Sequence, residues 1–169
     1  MDHTEILVEA FTRIRDLVYH TLDGLPAQDL TVRLDPEANT IAWLIWHLSR
    51  VQDDHIAELA GHDQVWLADG WYDRFELPFD GHAIGYGQSA AEVGQVSAPA
   101  DLLTGYHDAL HARSIDFVRD LSAAELDRVV DRRWDPPVTV GVRLVSVISD
   151  DLQHVGQAAY VRGVLSRRD

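Results

Sequence analysis

The sequence predicts an all-α protein, a four-helix bundle with a long connection between its second and third helices. Three stretches, near residues 4–22, 41–59 and 101–121, repeat apolar residues every three to four positions, which is the period of an amphipathic helix. A fourth, from Thr139 to about Leu165, is apolar around most of its circumference and is expected to lie centrally in a bundle or at an interface between copies. No stretch alternates apolar and polar residues as a strand would. With no internal repeat or low-complexity run, the 169 residues read as one domain, 1–169.

Each element has its own local reason. In the first helix Ile6, Leu7, Phe11, Ile14, Leu17 and Val18 make the apolar stripe, and Thr4 is placed to cap its start. Gly24, Pro26 and Pro36 then interrupt the pattern, and Asn39 or Thr40 opens a second helix through Ile41, Leu44, Ile45, Leu48, Val51, Ile56 and Leu59, ending near Gly61. Residues 61–99 hold glycines and the aromatics Trp66, Trp71, Tyr72, Phe75, Phe79 and Tyr86 with no sustained period. A connection this long in a compact domain is expected to shape or cover a site. Tryptophans 43, 46, 66, 71 and 134 read as core and loop anchors. Leu103, Tyr106, Leu110 and Phe117 share one face of the third helix, Ser122–Asp131 reads as a short helix stopped by Pro136-Pro137, and Thr139 opens the last helix.

Composition excludes several chemistries. There are 28 acidic residues against 14 basic ones, for a formal charge of −14, which argues against binding the phosphates of nucleic acid. Every basic residue is arginine, so lysine Schiff-base chemistry is excluded. With no cysteine, thiolate ligands, disulfides and cysteine nucleophiles are excluded as well. The start of the chain lacks a signal-peptide pattern and no apolar run approaches a membrane span, so a soluble, cytoplasmic protein with no membrane partner is expected.

Two helical segments place polar groups among apolar ones, Trp46-His47-Leu48 on the second helix and Asp150 to Gln157 on the fourth. A polar group in such surroundings needs a partner, and a metal ion is one. His47 lies on the flank of its apolar stripe, a position that suits either a metal ligand or a histidine hydrogen-bonded to a neighbouring helix. His154 follows Asp150 by four residues and Asp151 by three, and both spacings put carboxylate and imidazole on one face. The pattern does not choose between the two aspartates. His107 and His111 share the i, i+4 spacing but sit on the shoulder of the third helix. His55 reads as a core or supporting histidine, and Asp54, seven residues after His47, is placed to orient that imidazole or line a cavity above it. Gly85-Tyr86-Gly87 is too short for a phosphate loop, and no Walker, Rossmann or nucleophile-elbow motif occurs.

Together Thr40-Ile41-Ala42-Trp43-Leu44-Ile45-Trp46-His47-Leu48 and His154-Val155-Gly156-Gln157-Ala158-Ala159-Tyr160-Val161-Arg162-Gly163 resemble the DinB-like superfamily, and within it the actinobacterial mycothiol-dependent S-transferase group. The resemblance implies a DinB-like four-helix bundle with metal ligands His47, Asp150 and His154, the aspartate standing where many members have histidine. It implies a divalent metal, zinc or nickel, and a low-molecular-weight thiol, mycothiol, as co-substrate for attack on an electrophile in a detoxification or stress role. Asp54, Asp151 and His55 would support the ligands, and Arg50 and Arg162 would meet anionic groups of the thiol. Two other readings stay open: a non-catalytic, stress-associated bundle with a buried polar network, and a metal-dependent hydrolase using a bound water. The apolar last helix points to a homodimer.

Overall fold

The computed structural model describes residues 1–168. Four long helices, α1 (His3–Leu22), α2 (Ile41–Ala60), α6 (Ala100–Asp120) and α7 (Val140–Leu165), form the bundle. α2 packs chiefly against α7 and α1 chiefly against α6, with α2–α6 and α1–α7 closing the ring. No described helix is long and apolar enough to cross a membrane.

Helix ends follow local chemistry. Asp2, not Thr4, caps α1: its carboxylate accepts the Glu5 N–H while the Glu5 side chain accepts the Asp2 N–H, each at 2.9 Å. The reciprocal pair satisfies two backbone donors where a threonine would satisfy one. Thr40 caps α2 by accepting the Trp43 N–H at 3.0 Å, and Gly61 ends it at φ 72°, a left-handed turn that favours glycine. Thr139 caps α7.

The connection after α2 contains three single-turn helices, α3 (Val65–Ala68), α4 (Trp71–Phe75) and α5 (Ala90–Val93). They bury Trp66, Trp71, Phe75 and Val93 against the bundle, which is why pieces too short to show a period are nonetheless ordered. Their packing makes α2 the innermost helix, buried without a break from Ile41 to Asp53. α7, expected either at the centre or at an interface between copies, is not the central helix and leaves Val142, Val145, Leu152 and Tyr160 exposed. The segment Ser122–Asp131 also departs from expectation, giving one turn of 3-10 helix at Glu125–Asp127 and then strand β1 (Val129–Asp131), antiparallel to β2 (Val138–Thr139). The paired backbone and the Asp131 ion pairs with Arg133 (2.8 Å) and Arg143 (3.6 Å) hold this hairpin, and Trp134 stands exposed beside them.

The core divides into two apolar clusters. One gathers Leu22, Leu44, Leu48, Trp66, Leu110 and Val155, and the other Phe11, Ile14, Ile56, Val118, Leu144 and Val147. Along the helices the levels between them hold the buried polar residues Ser49, Gln52, Ser114 and Asp151. Gln52 donates to Ser114 at 2.7 Å and Ser114 to the Leu110 carbonyl at 2.9 Å.

Candidate metal centre

Metal-ligating groups meet where α2 and α7 face each other beneath the connection. His47 comes from α2, and Asp150 and His154 from successive turns of α7. One ligating atom from each lies within 4.8 Å of the other two. The His47 and His154 rings pack edge to face at 4.7 Å, and Trp43, one turn before His47, stacks on it at 4.5 Å and 17°. The Trp43 indole N–H is held in turn by Gln88 Oε1 at 2.7 Å.

Hydrogen bonds set the tautomer of both histidines. His47 Nδ1 lies 2.5 Å from the Ile84 carbonyl, and His154 Nδ1 lies 2.8 Å from the Asp150 carbonyl one turn back. A carbonyl oxygen only accepts, so each Nδ1 carries the hydrogen and each Nε2 keeps its lone pair. Asp150 Oδ2 lies 3.2 Å from the same His154 Nδ1, whose N–H donates to the Asp150 carbonyl, so the carboxylate is paired with His154 by charge rather than by a well-formed hydrogen bond. Two imidazoles and a carboxylate brought within 4.8 Å of one another from two helices fit a divalent cation, with positions left for other ligands.

Electrostatics follow from burial and from this geometry. Burial pushes the His47 pKa down, so the ring is neutral and basic at Nε2. At His154 burial acts in the same direction but is outweighed by the close Asp150 carboxylate, by the hydrogen bond to the Asp150 carbonyl and by the carboxylate's charge, and the net shift is upward. Burial likewise opposes charge on Asp150, yet the neighbouring histidines hold its pKa below the usual value.

The other sequence candidates lie elsewhere. Asp151 points into the bundle interior, fully buried, with neither carboxylate oxygen hydrogen-bonded. It sits nearer the centre of the apolar stripe, and the trio uses the flank. Asp54 does not orient His47, a task done by the Ile84 carbonyl; it accepts from Gln64 at 2.7 Å and lines a cavity of about 660 Å³ with Glu58, Asp63, Gln64, His62 and His82. His55 stands 3.8 Å from Asp54 and 4.0 Å from Glu58. His107 is buried on Ser49, 3.0 Å away, and His111 lies one turn on; neither joins the trio.

Neither arginine is free to meet an anionic ligand. Arg50 is 0% exposed and its guanidinium is spent on Ala83, Tyr106, Gln64 and Gly81. Arg162 donates to the carbonyls of His20 and Asp23 at the end of α1.

Sequence reading missed the segment over the site. The Ile84 carbonyl has no residue-type signature, but Gly85 does. At φ 92° it adopts a conformation that side chains resist, and a Cβ there would stand 2.7 Å from His47 Nδ1. The Gly85-Tyr86-Gly87 pattern marked a close backbone approach, made here to an imidazole.

Residues 6–166 match the mycothiol-S-transferase family. The chain belongs to this DinB-like family. A crystal structure of a conserved protein from Enterococcus faecalis superposes with a TM-score of 0.90 at 31% identity, over 96% of each chain. Curated proteins give no match. Membership accounts for the all-α bundle, and in this member the facing surfaces of α2 and α7 carry two histidines and an aspartate.

Proposed function

We propose that this member of the mycothiol-S-transferase family is a metal-dependent enzyme that joins a low-molecular-weight thiol, mycothiol, to an electrophilic substrate in detoxification or stress defence. The observation that carries this reading is the trio His47, Asp150 and His154, two imidazoles and a carboxylate that two helices bring to within 4.8 Å of one another. A bound divalent ion, zinc or nickel, would lower the pKa of a coordinated thiol so that thiolate forms near neutral pH.

This chain's residues supply the rest. Trp43 walls one side of His47, and a separate cavity that Asp54 lines, two helical turns along α2 and lined by none of the trio, would take the body of the thiol. Its lining joins carboxylates, imidazoles and an amide to Ala57, Leu67 and Ala68 and holds no arginine, which suits the neutral hydroxyl-rich body of mycothiol and disfavours thiols carrying carboxylates or phosphates. In the transfer the thiol proton passes to solvent, the S–C bond forms, and the bond to the leaving group breaks with its electron pair.

The test is direct. Zinc- or nickel-loaded protein is mixed with monobromobimane and with mycothiol, glutathione or coenzyme A, and adducts are counted by mass spectrometry. Faster formation of the mycothiol adduct, abolished by EDTA and in His154→Ala, is expected; rates equal to the protein-free reaction with every thiol overturn the reading. We also infer a homodimer through the outer face of α7, where no exposed position from Val142 to Tyr160 is charged in a chain of net charge −14. Sedimentation equilibrium checks this, Val145→Glu being expected to give monomer and a monomeric parent chain refuting it.

A further inference from the structure

A strap of backbone over the trio is held by one buried cation. Arg50 Nε donates to the Ala83 carbonyl at 3.2 Å, and Nη2 donates to the Gly81 carbonyl at 3.3 Å and to Gln64 Oε1 at 2.8 Å. Nη1 donates to the Tyr106 hydroxyl at 3.2 Å and lies 3.5 Å from Asp53, and the guanidinium rests 4.9 Å from the centre of the Trp66 ring. Asp53, which balances the charge, is itself fixed by the backbone N–H groups of Val65 and Trp66 and by the Tyr106 hydroxyl. Residue 84, next after one of the gripped carbonyls, is the one whose carbonyl meets His47 Nδ1.

We propose that Arg50 is a positioning residue for His47: by gripping Gly81 and Ala83 it sets the Ile84 carbonyl against Nδ1, and this selects the tautomer that carries its hydrogen on Nδ1 and keeps the Nε2 lone pair for an ion. The value of that selection to catalysis rests on the metal-dependent reading, but the selection itself is a property of the metal-free chain. A flat five-donor fork is needed, because the acceptors lie on the strap, on Gln64 and on Tyr106. Lysine would keep the charge that balances Asp53 and lose the reach. Without the grip, the strap is free to lift, and an imidazole released from its acceptor takes the Nε2–H form ordinarily preferred in water, which points a hydrogen where the lone pair was.

The test compares parent and Arg50→Lys proteins without metal, at a pH where His47 is neutral. Side-chain ¹⁵N spectra, with His47 assigned by its loss in His47→Gln, read the tautomer. The parent is expected to show Nδ1–H His47, and Arg50→Lys a shift toward Nε2–H, with faster amide exchange at residues 81–88 and zinc affinity lower by about 10–100-fold. Gly85→Ala, whose Cβ would crowd His47 from the strap side, is expected to shift the tautomer the same way with the Arg50 cluster intact. A folded Arg50→Lys protein that keeps the Nδ1–H form overturns the proposal, even if Gly85→Ala shifts it. Should Arg50→Lys not fold, the double variant Arg50→Gln, Asp53→Asn removes the grip on Gly81 and Ala83 together with the charge it balances, and an unchanged tautomer there overturns the proposal equally. Failure of every protein to bind zinc, with the tautomer shifts present, would count against the metal reading and leave this one standing.

Discussion

His107 makes the fold sensitive to acid by an amount that can be worked from its surroundings. The ring is buried on α6 between Tyr106 and Leu110 of the first apolar cluster, against Ser49 of α2. Ser49 Oγ donates its own hydrogen to the Ile45 carbonyl at 2.8 Å, so the 3.0 Å contact with His107 must have Nδ1–H donating to Oγ. That leaves Nε2 buried, with a lone pair and no partner. Protonation there would place a charged N–H in the core with no acceptor, and burial, assisted by His111 one turn away, pushes the pKa from 6.5 down to about 3. Because the folded-state value is depressed, the stabilisation is fully present above pH 6.5. It is lost as pH falls toward 3, since the unfolded chain gains a proton that the folded chain refuses. The slope is about 1.4 kcal/mol per pH unit, so roughly 3 kcal/mol is lost between pH 6.5 and 4, a large share of the ~5–15 kcal/mol typical of a domain. In His107→Asn the amide keeps a donor toward Ser49 but cannot titrate. Urea unfolding of both proteins at pH 7, 6, 5 and 4 should show the variant less stable at pH 7 by about 1–3 kcal/mol, with the gap closing by about 1.4 kcal/mol per unit below 6.5. All other ionisable groups are common to both and drop out of the difference. A gap that stays constant to pH 4 would refute the argument.

Burial, together with the charge of Asp150, raises the pKa of Asp151 well above its usual value. A raised folded-state pKa means stability that is present below the unfolded value and lost as pH rises, so Asp151→Asn should stabilise the metal-free protein at pH 8 and have little effect at pH 4, read by thermal unfolding at both. Tyr106→Phe removes the donor 2.7 Å from Asp53 Oδ2 and an acceptor of Arg50 Nη1 inside the core. It is expected to cost about 1–3 kcal/mol in urea unfolding, and a change within 0.5 kcal/mol would show that the cluster relaxes around the loss.

The long helices were legible because a period of three to four residues records which face of each is buried. The caps at Thr40 and Thr139 were legible because a hydroxyl at a helix start satisfies an N–H that nothing else reaches. Asp2 was missed because the reciprocal pairing with Glu5 had to be weighed against the nearer Thr4. The single-turn helices of the connection and the β1–β2 hairpin owe their order to contacts distant in sequence, which leave no local period. At the site, i, i+4 and i, i+3 spacings put Asp150 and Asp151 beside His154; only the approach of α2 separates them, placing Asp150 opposite His47 and Asp151 in the interior. Arg50 reads in sequence as a cation available to a ligand, and in the fold its whole donor set is used internally.

The central claim is that His47, Asp150 and His154 hold a divalent cation. Elemental analysis of protein purified without chelator, followed by zinc titration against a competing chelator, tests it most directly in the parent chain, His154→Ala, Asp150→Ala and Asp151→Asn. The account predicts about one divalent ion per parent chain, retained in Asp151→Asn and lost in the other two. A parent chain that holds no divalent ion and binds added zinc no better than His154→Ala would contradict it.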